Sequence, residues 1–155
     1  MSVKRRPPKP TPKAAFWDTS AIVPLCCFQP RRDRAHMTAR VYGRQVTWWA
    51  TSVEAVSSLV RLRRENALSK EGRQQALDRL NRLRRAWAEI QPTDEVRDLA
   101  ERLLGIHRLR AADALQLAAA HVWCQQRPRG RAFIGADGGL SDAAEAEGFT
   151  VIRLL

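Results

Sequence analysis

The chain has 155 residues, enough for one domain with its own core and too short for two comfortable ones. Hydrophobic residues make up 45%, as in ordinary soluble globular proteins, and no apolar run approaches the roughly 20 residues that span a bilayer. Lys and Arg total 27 against 16 Asp and Glu, a net charge of +11 that favours a polyanionic partner, nucleic acid first, without naming it. The N-terminus carries no apolar stretch of signal-peptide type, so the expected compartment is the cytoplasm. Cys26, Cys27 and Cys124 are odd in number, two are adjacent, and no Cys-x-x-Cys pair exists. That pattern excludes a disulfide framework and a structural zinc site, and leaves buried thiols in a reducing compartment.

Residues 1–13 combine Lys4, Arg5, Arg6, Lys9 and Lys13 with Pro7, Pro8, Pro10 and Pro12, the composition of a flexible basic arm that loosely grips phosphates or is simply solvated. The domain proper runs over 14–155. Ala14 to Trp17 reads as a buried strand ending at Asp18, and Val46 to Ala50 as a second strand. Leu77, Leu80, Leu83 and Trp87 form one helical stripe after Ser69. A third strand is expected over Ala86 to Ile90, stopped by Pro92. Val96, Leu99, Ala100, Leu103 and Leu104 fall on one helical face, with Thr93 as N-cap, Asp94 and Glu95 in the first turn and Gly105 at the end. Ala111 to Cys124 is apolar nearly all round and predicts a buried helix ended before Pro128. Arg131 to Gly135 and Thr150 to Leu154 supply the last strands, around a short helix closed by Gly148. Strands alternating with helices predict a parallel sheet covered on both faces, with the ligand site outside the carboxyl ends of the strands at a switch point. No internal repeat is present.

Four acids fall where that site should lie. Asp18 follows the first strand, Glu54 the second and Asp137 the fourth, while Asp113 opens the buried helix. If strands one, two and four are neighbours, three of these acids converge on one edge, and Asp113 joins them from a helix N-terminus. Each has a simpler reading alone. Asp18 and Asp137 each suit an N-cap, Asp113 suits the positive end of its helix, and Thr51-Ser52-Val53-Glu54 matches a capping box in which Glu54 bonds back to the Thr51 amide. Caps alone do not need four carboxylates in one partly dry place, where they repel one another. A hard divalent cation removes that repulsion. Mg²⁺ takes such oxygen ligands while keeping several waters, and it activates a water for attack on a phosphodiester. Rival chemistries lack their marks: His36, His107 and His121 have no metal-ligand spacing, and there is no Gly-x-Ser-x-Gly elbow and no Gly-x-x-x-x-Gly-Lys loop.

In these residues the chain resembles a PIN domain, and especially the toxin of VapBC toxin–antitoxin systems. The resemblance lies in Phe16-Trp17-Asp18-Thr19-Ser20-Ala21-Ile22-Val23, Ser52-Val53-Glu54-Ala55-Val56-Ser57-Ser58-Leu59, Leu109-Arg110-Ala111-Ala112-Asp113-Ala114-Leu115-Gln116-Leu117-Ala118 and Phe133-Ile134-Gly135-Ala136-Asp137-Gly138-Gly139-Leu140. The first and third pieces are the specific ones. The resemblance implies a three-layer α/β/α sandwich with a parallel five-stranded sheet in the order 3-2-1-4-5. It implies Mg²⁺- or Mn²⁺-dependent RNA cleavage, a cognate antitoxin and a homodimer. It assigns metal and catalytic roles to Asp18, Glu54, Asp113 and Asp137, and to Ser20 a hydroxyl that orients a carboxylate or a metal-bound water. The chain departs from the pattern at Gly135, where relatives usually carry Thr or Ser, so a supporting hydroxyl is missing beside the last acid. Asp142, one turn beyond Gly138, is a candidate substitute, though it reads better as an exposed helix residue.

From Arg61 to Arg85 the chain carries Arg61, Arg63, Arg64, Lys70, Arg73, Arg79, Arg82, Arg84 and Arg85 against only Glu65, Glu71 and Asp78. Two helices joined near Ser69 would present them as a positive clamp for RNA or for an acidic antitoxin segment, or merely as the solvated side of amphipathic helices. Trp48, Trp49, Trp87 and Trp123 read as core residues, Trp48 and Trp49 on opposite faces of a covered sheet. Two further readings stay open at this point. A phosphatase of the haloacid-dehalogenase type also places an Asp after the first strand, but it wants a second Asp where this chain has Ser20. A non-catalytic RNA-binding or regulatory module would use the acids structurally.

Overall fold

The structure, a computed structural model, describes residues 9–154. The apolar segment Ala14–Trp17 forms β1, the middle strand of a five-stranded, wholly parallel sheet. On one side it pairs with β2 (Arg44–Trp48), which pairs with β3 (Ala88–Ile90). On the other it pairs with β4 (Ala132–Gly135), and β4 with β5 (Thr150–Arg153). The order β3-β2-β1-β4-β5 is the expected one, and it reverses direction at β1, so a crevice opens beyond the carboxyl ends of β1, β2 and β4.

Alternation along β1 sorts the core into two layers. Ala15 and Trp17 face α1 (Thr19–Cys26), α2 (Arg32–Val41), α3 (Thr51–Arg64) and α4 (Lys70–Ala86) through Ile22, Leu25, Leu59 and Leu80. Phe16 points the other way, toward α5 (Asp94–Ile106), α6 (Ala111–Trp123) and α7 (Gly138–Glu147), and meets Leu99, Leu103, Leu117 and Leu140. Phe16 stacks on Phe133 of β4 at 5.5 Å between ring centroids, and Phe149 tilts against Phe133 at 5.8 Å. Both faces of the sheet are therefore covered, which is why its strands read as continuous apolar runs.

Several boundaries differ from the sequence reading. Strand β2 spans Arg44–Trp48, two residues earlier than expected, because α3 already begins at Thr51. The Trp49 N–H still bonds Ile90 O at 3.0 Å, but its side chain has left the sheet and is 48% exposed, so the expected burial of both tryptophans is wrong for Trp49. The stripe of Leu77, Leu80 and Leu83 carries α4 through Ala86, with Trp87 as its C-cap, and shortens β3 to Ala88–Ile90. Helix α5 continues through Gly105 and ends at His107, whose extended backbone breaks the turn. Helix α2 escaped the reading because it buries only Ala35 and shows no stripe. Gly148 caps α7 in the left-handed region at φ 107°, as its place after Glu147 predicted.

Of the expected basic arm over 1–13, residues 1–8 lie outside the described residues. Residues 9–13 are exposed, and Lys13 already leads into β1, its N–H bonding Val41 O at the end of α2 and its carbonyl accepting the Arg44 N–H of β2. Cys26, Cys27 and Cys124 are buried free thiols. No helix among the described residues is long and apolar enough to cross a membrane. His107 and His121 share the Glu147 carboxylate at 2.6 and 3.2 Å, tying α5 and α6 to the end of α7.

Candidate active site

Each of the four expected acids is delivered by a different piece of secondary structure. The Asp18 N–H bonds Ile134 O at 3.0 Å, extending the β1–β4 ladder by one residue and placing the side chain at the strand end. That carboxylate caps α1, accepting the Ser20 N–H at 3.3 Å and a very short bond from the Ser20 hydroxyl on the same Oδ2. Ser20 Oγ in turn accepts the Ala136 N–H at 2.8 Å, so one hydroxyl ties the end of β1 to the turn after β4. Asp137 follows that turn and caps α7 through the Leu140 N–H at 2.9 Å. Glu54 stands in the first turn of α3 and Asp113 in the first turn of α6. All four carboxylates and Ser20 line a single cavity of about 660 Å³. Asp18 is at its floor, 4% exposed, and Asp137 is at its open side.

Three of the simpler readings hold alongside this arrangement and one fails. Asp113 does stand in the first turn of its helix. Asp18 and Asp137 are N-caps as well as cavity residues. Glu54 is no capping-box partner: the N-cap of α3 is Ala50, which makes no side-chain cap, and Glu54 Oε2 instead accepts from Thr19 Oγ1 at 3.0 Å and Gln116 Nε2 at 3.3 Å. Tertiary partners have outcompeted the local one.

The electrostatics bind the four acids together. Burial pushes the Asp18 carboxyl up to about 7; its two Ser20 hydrogen bonds oppose this, and the charges of Asp113 and Glu54 add to it. Burial also raises Glu54, against the bonds from Gln116 and Thr19 and with help from Asp113. Asp113 is raised by burial and then by Asp137, while Arg110 pulls it back. A helix cap needs no such cost, since Asn or Ser would serve. The donors are all oxygen, the set a hard, partly hydrated divalent cation takes rather than zinc. Among the described residues no three acid, imidazole or thiol groups converge closely enough to enclose an ion directly, so an ion here would complete its shell with water.

No family model matches the sequence, and no curated protein matches it either. Solved structures do share its fold. A crystal structure of PAE2754 from Pyrobaculum aerophilum is similar at a TM-score of 0.58, with 20% identity over 92% of this chain and 90% of that one. A toxin-antitoxin complex from Klebsiella pneumoniae is similar at a TM-score of 0.60, with 14% identity over 92% of this chain and 98% of that one. At such identities the likeness is one of fold.

Two of the cavity's arginines, Arg31 and Arg110, escaped the sequence reading. Arg31, the N-cap of α2, Arg110, the N-cap of α6, and Arg61 of α3 all line the cavity with the acids. Arg61 belongs to the expected basic clamp, but its neighbours scatter. Arg79 turns inward to the Cys26 carbonyl at 3.0 Å, and Arg84 and Arg85 line a separate depression with Asn81 and Glu89. Asp142 is an exposed helix residue paired with Arg153 at 2.8 Å, outside the cavity, as its simpler reading had it.

Gly135 has a steric reason. A Cβ there would stand 3.1 Å from Ser141 Oγ, a tight approach that the buried Ser141 hydroxyl must relieve by shifting, and 3.9 Å from Asp18 Cβ, an ordinary contact. We expect Gly135→Ala to be more stable in a Ser141→Ala background than in the wild type by about 1 kcal/mol, read as the coupling in a urea-denaturation double-mutant cycle. A coupling near zero would show that the hydroxyl does not compete for this space.

Proposed function

We propose that the chain is a Mg²⁺-dependent endoribonuclease, with Mn²⁺ as an alternative ion, and the toxin of a type II toxin–antitoxin pair of the PIN-domain kind acting in the cytoplasm. The observation that carries this reading is the gathering of Asp18, Glu54, Asp113 and Asp137 from four elements into one cavity whose rim bears Arg31, Arg61 and Arg110. Acids at the floor suit a divalent cation; arginines around them suit the phosphates of a chain that must pass over it. Asp18, Glu54, Asp113 and Asp137 would hold the ion partly through its waters, and it would supply an activated water and neutralise charge on the scissile phosphate. The protein's part is to hold Asp18 rigidly through Ser20 and to clamp the backbone on either side. Arg31 and Arg61 have no salt-bridge partner among the described residues and so remain available for phosphates. The similar Klebsiella pneumoniae structure, a toxin-antitoxin complex, supports the toxin part. The exposed apolar side chains of Trp49, Val53 and Val56 support a protein partner, antitoxin or second copy.

The test mixes purified protein with structured RNA and with a phosphomonoester, in Mg²⁺, Mn²⁺ or EDTA. Endonucleolytic RNA cuts that stop in EDTA, with no monoester turnover, are expected. Monoester hydrolysis would favour the phosphatase reading, and RNA retention without cutting the binding-module reading. A second measurement reads the rim. Arg31→Gln, Arg61→Gln and Arg110→Gln should each flatten the salt dependence of binding to a single-stranded RNA oligonucleotide by about 0.7 in log–log slope. Arg84→Gln, in its separate depression, should leave the slope unchanged.

A further inference from the structure

Helix α6 carries one residue at odds with its surroundings. Gln116 is fully buried between Ala114 and the apolar run Leu117 to Ala120, one helical turn after Asp113. Its Nε2 donates to Thr19 Oγ1 at 2.8 Å, to Thr51 Oγ1 at 3.2 Å and to Glu54 Oε2 at 3.3 Å. The Thr19 hydroxyl passes the bond on to the same Glu54 Oε2 at 3.0 Å. The Gln116 acyl oxygen, Oε1, is buried and has no hydrogen-bond partner among the described residues.

We propose that Gln116 is a positioning residue that fixes the Glu54 carboxylate for the bound divalent cation, acting directly and through Thr19. The inference rests on the nuclease reading of the cavity. Gln116 Nε2 and Thr19 Oγ1 both converge on Oε2, which leaves Glu54 Oε1 without a protein hydrogen bond among the described residues. One oxygen is thus anchored and the other is left for an ion or its water. The amide also stands where three acid-bearing pieces meet: α6 carries Asp113, α1 is capped by Asp18, and α3 carries Glu54. Donors arranged in series strengthen one another in a dry interior and hold the acceptor to one rotamer. A packing role alone does not account for the residue. An orphaned buried acyl oxygen destabilises the fold, and Met would fill the same volume without one. What Met lacks is the N–H that grips Glu54. Groups that orient the ligands of a metal typically change its affinity or the activity about 10- to 100-fold when removed.

The experiment compares the wild type with Gln116→Met, by the Mg²⁺ or Mn²⁺ concentration that half-saturates the thermal shift of the RNA-free protein, and by kcat and KM on an RNA oligonucleotide. Gln116→Met should fold with a metal-free melting point close to that of the wild type, since relief of the orphaned Oε1 offsets the bonds lost by Thr51 and Thr19. Its half-saturating Mg²⁺ should rise about tenfold, and kcat at limiting Mg²⁺ should fall about tenfold and recover in excess Mg²⁺, with KM changed less than about threefold. A wild-type metal midpoint and kcat in Gln116→Met would overturn the proposal. So would a metal-free melting point that falls as it does in Leu117→Ala while the metal midpoint holds. If Gln116→Met does not fold, Thr19→Val breaks the relay at constant volume, and an unchanged metal midpoint there overturns the proposal. If the wild type binds Mg²⁺ but cuts no RNA, and Gln116→Met weakens that binding, the nuclease reading fails while the positioning role stands. RNA cleavage by the wild type together with an unaffected Gln116→Met sinks the positioning role alone. A wild type with neither metal shift nor cleavage overturns both.

Discussion

Asp18→Asn should abolish metal-dependent RNA cleavage, lowering kcat/KM by at least about 10³-fold, or roughly 4 kcal/mol of transition-state stabilisation. Asp18 is the acid at the cavity floor and the one whose ionisation is opposed by both Asp113 and Glu54. Its charge is therefore the most costly to carry without a cation and the most strongly neutralised by one. Asn keeps the shape and the cap, since its side-chain oxygen still accepts the Ser20 N–H, so helix α1 should form as before. The fold is thereby separated from the chemistry. Far-UV circular dichroism and the melting temperature report the first, and initial cleavage rates in Mg²⁺ the second. Asp142→Asn is the control: it loses only a surface pair with Arg153, and its rate should stay within about twofold of the wild type. Retention of more than a tenth of wild-type activity in Asp18→Asn would show that the floor carboxylate is not the ion's main ligand.

How far the site could be read from the sequence follows how local its determinants are. Asp18 and Asp137 were visible because a short apolar run, a break and an acid occur within a few residues, and because N-caps stand where strand turns into helix. Asp113 was visible because an acid opens a helix that is otherwise apolar. The sheet order was visible through the family resemblance, while the alternation of strands and helices gave its parallel character. Glu54 was placed correctly but given the wrong partner in its simpler reading: Thr51-Ser52-Val53-Glu54 satisfies a local capping rule, whereas Thr19 and Gln116, the residues that hold it, lie 35 and 62 positions away. Gln116 itself had a faint signal, a polar residue inside an apolar helix, that means nothing until its neighbours are known. Arg31 and Arg110 were hidden by abundance. With Lys and Arg totalling 27, net charge favours a polyanion in general and does not single out side chains that would meet one. Trp49 was misplaced for a similar reason. Alternation fixes which way a strand residue points, but only the true end of β2 decides whether Trp49 belongs to the strand.

The cavity should also leave a signature in stability without any substrate. The Asp18 carboxyl in the folded protein is pushed up to about 7, while in the unfolded chain it returns to its ordinary value of 3.8. Below pH 3.8 both states are protonated and the group contributes nothing. Between 3.8 and 7 the unfolded chain has released this proton and the folded protein still holds it, so the folded state binds more protons and stability falls as pH rises. Above 7 both states are ionised and the full penalty remains, on the order of 4 kcal/mol at 1.36 kcal/mol per pH unit. Glu54 and Asp113 are raised too and act in the same direction. Urea denaturation in EDTA should therefore show the wild type losing stability from pH 4 to pH 7 relative to Asp18→Asn, with Asp18→Asn the more stable at neutral pH. Mg²⁺ should close most of that gap, because it binds the folded wild type and contributes about 2.7 kcal/mol at a hundred times its dissociation constant, a gain that Asp18→Asn largely forgoes. A wild-type-minus-variant difference that stays flat across this range, and is indifferent to Mg²⁺, would mean that Asp18 is a helix cap in a tolerant environment. The cavity would then have no need of an ion.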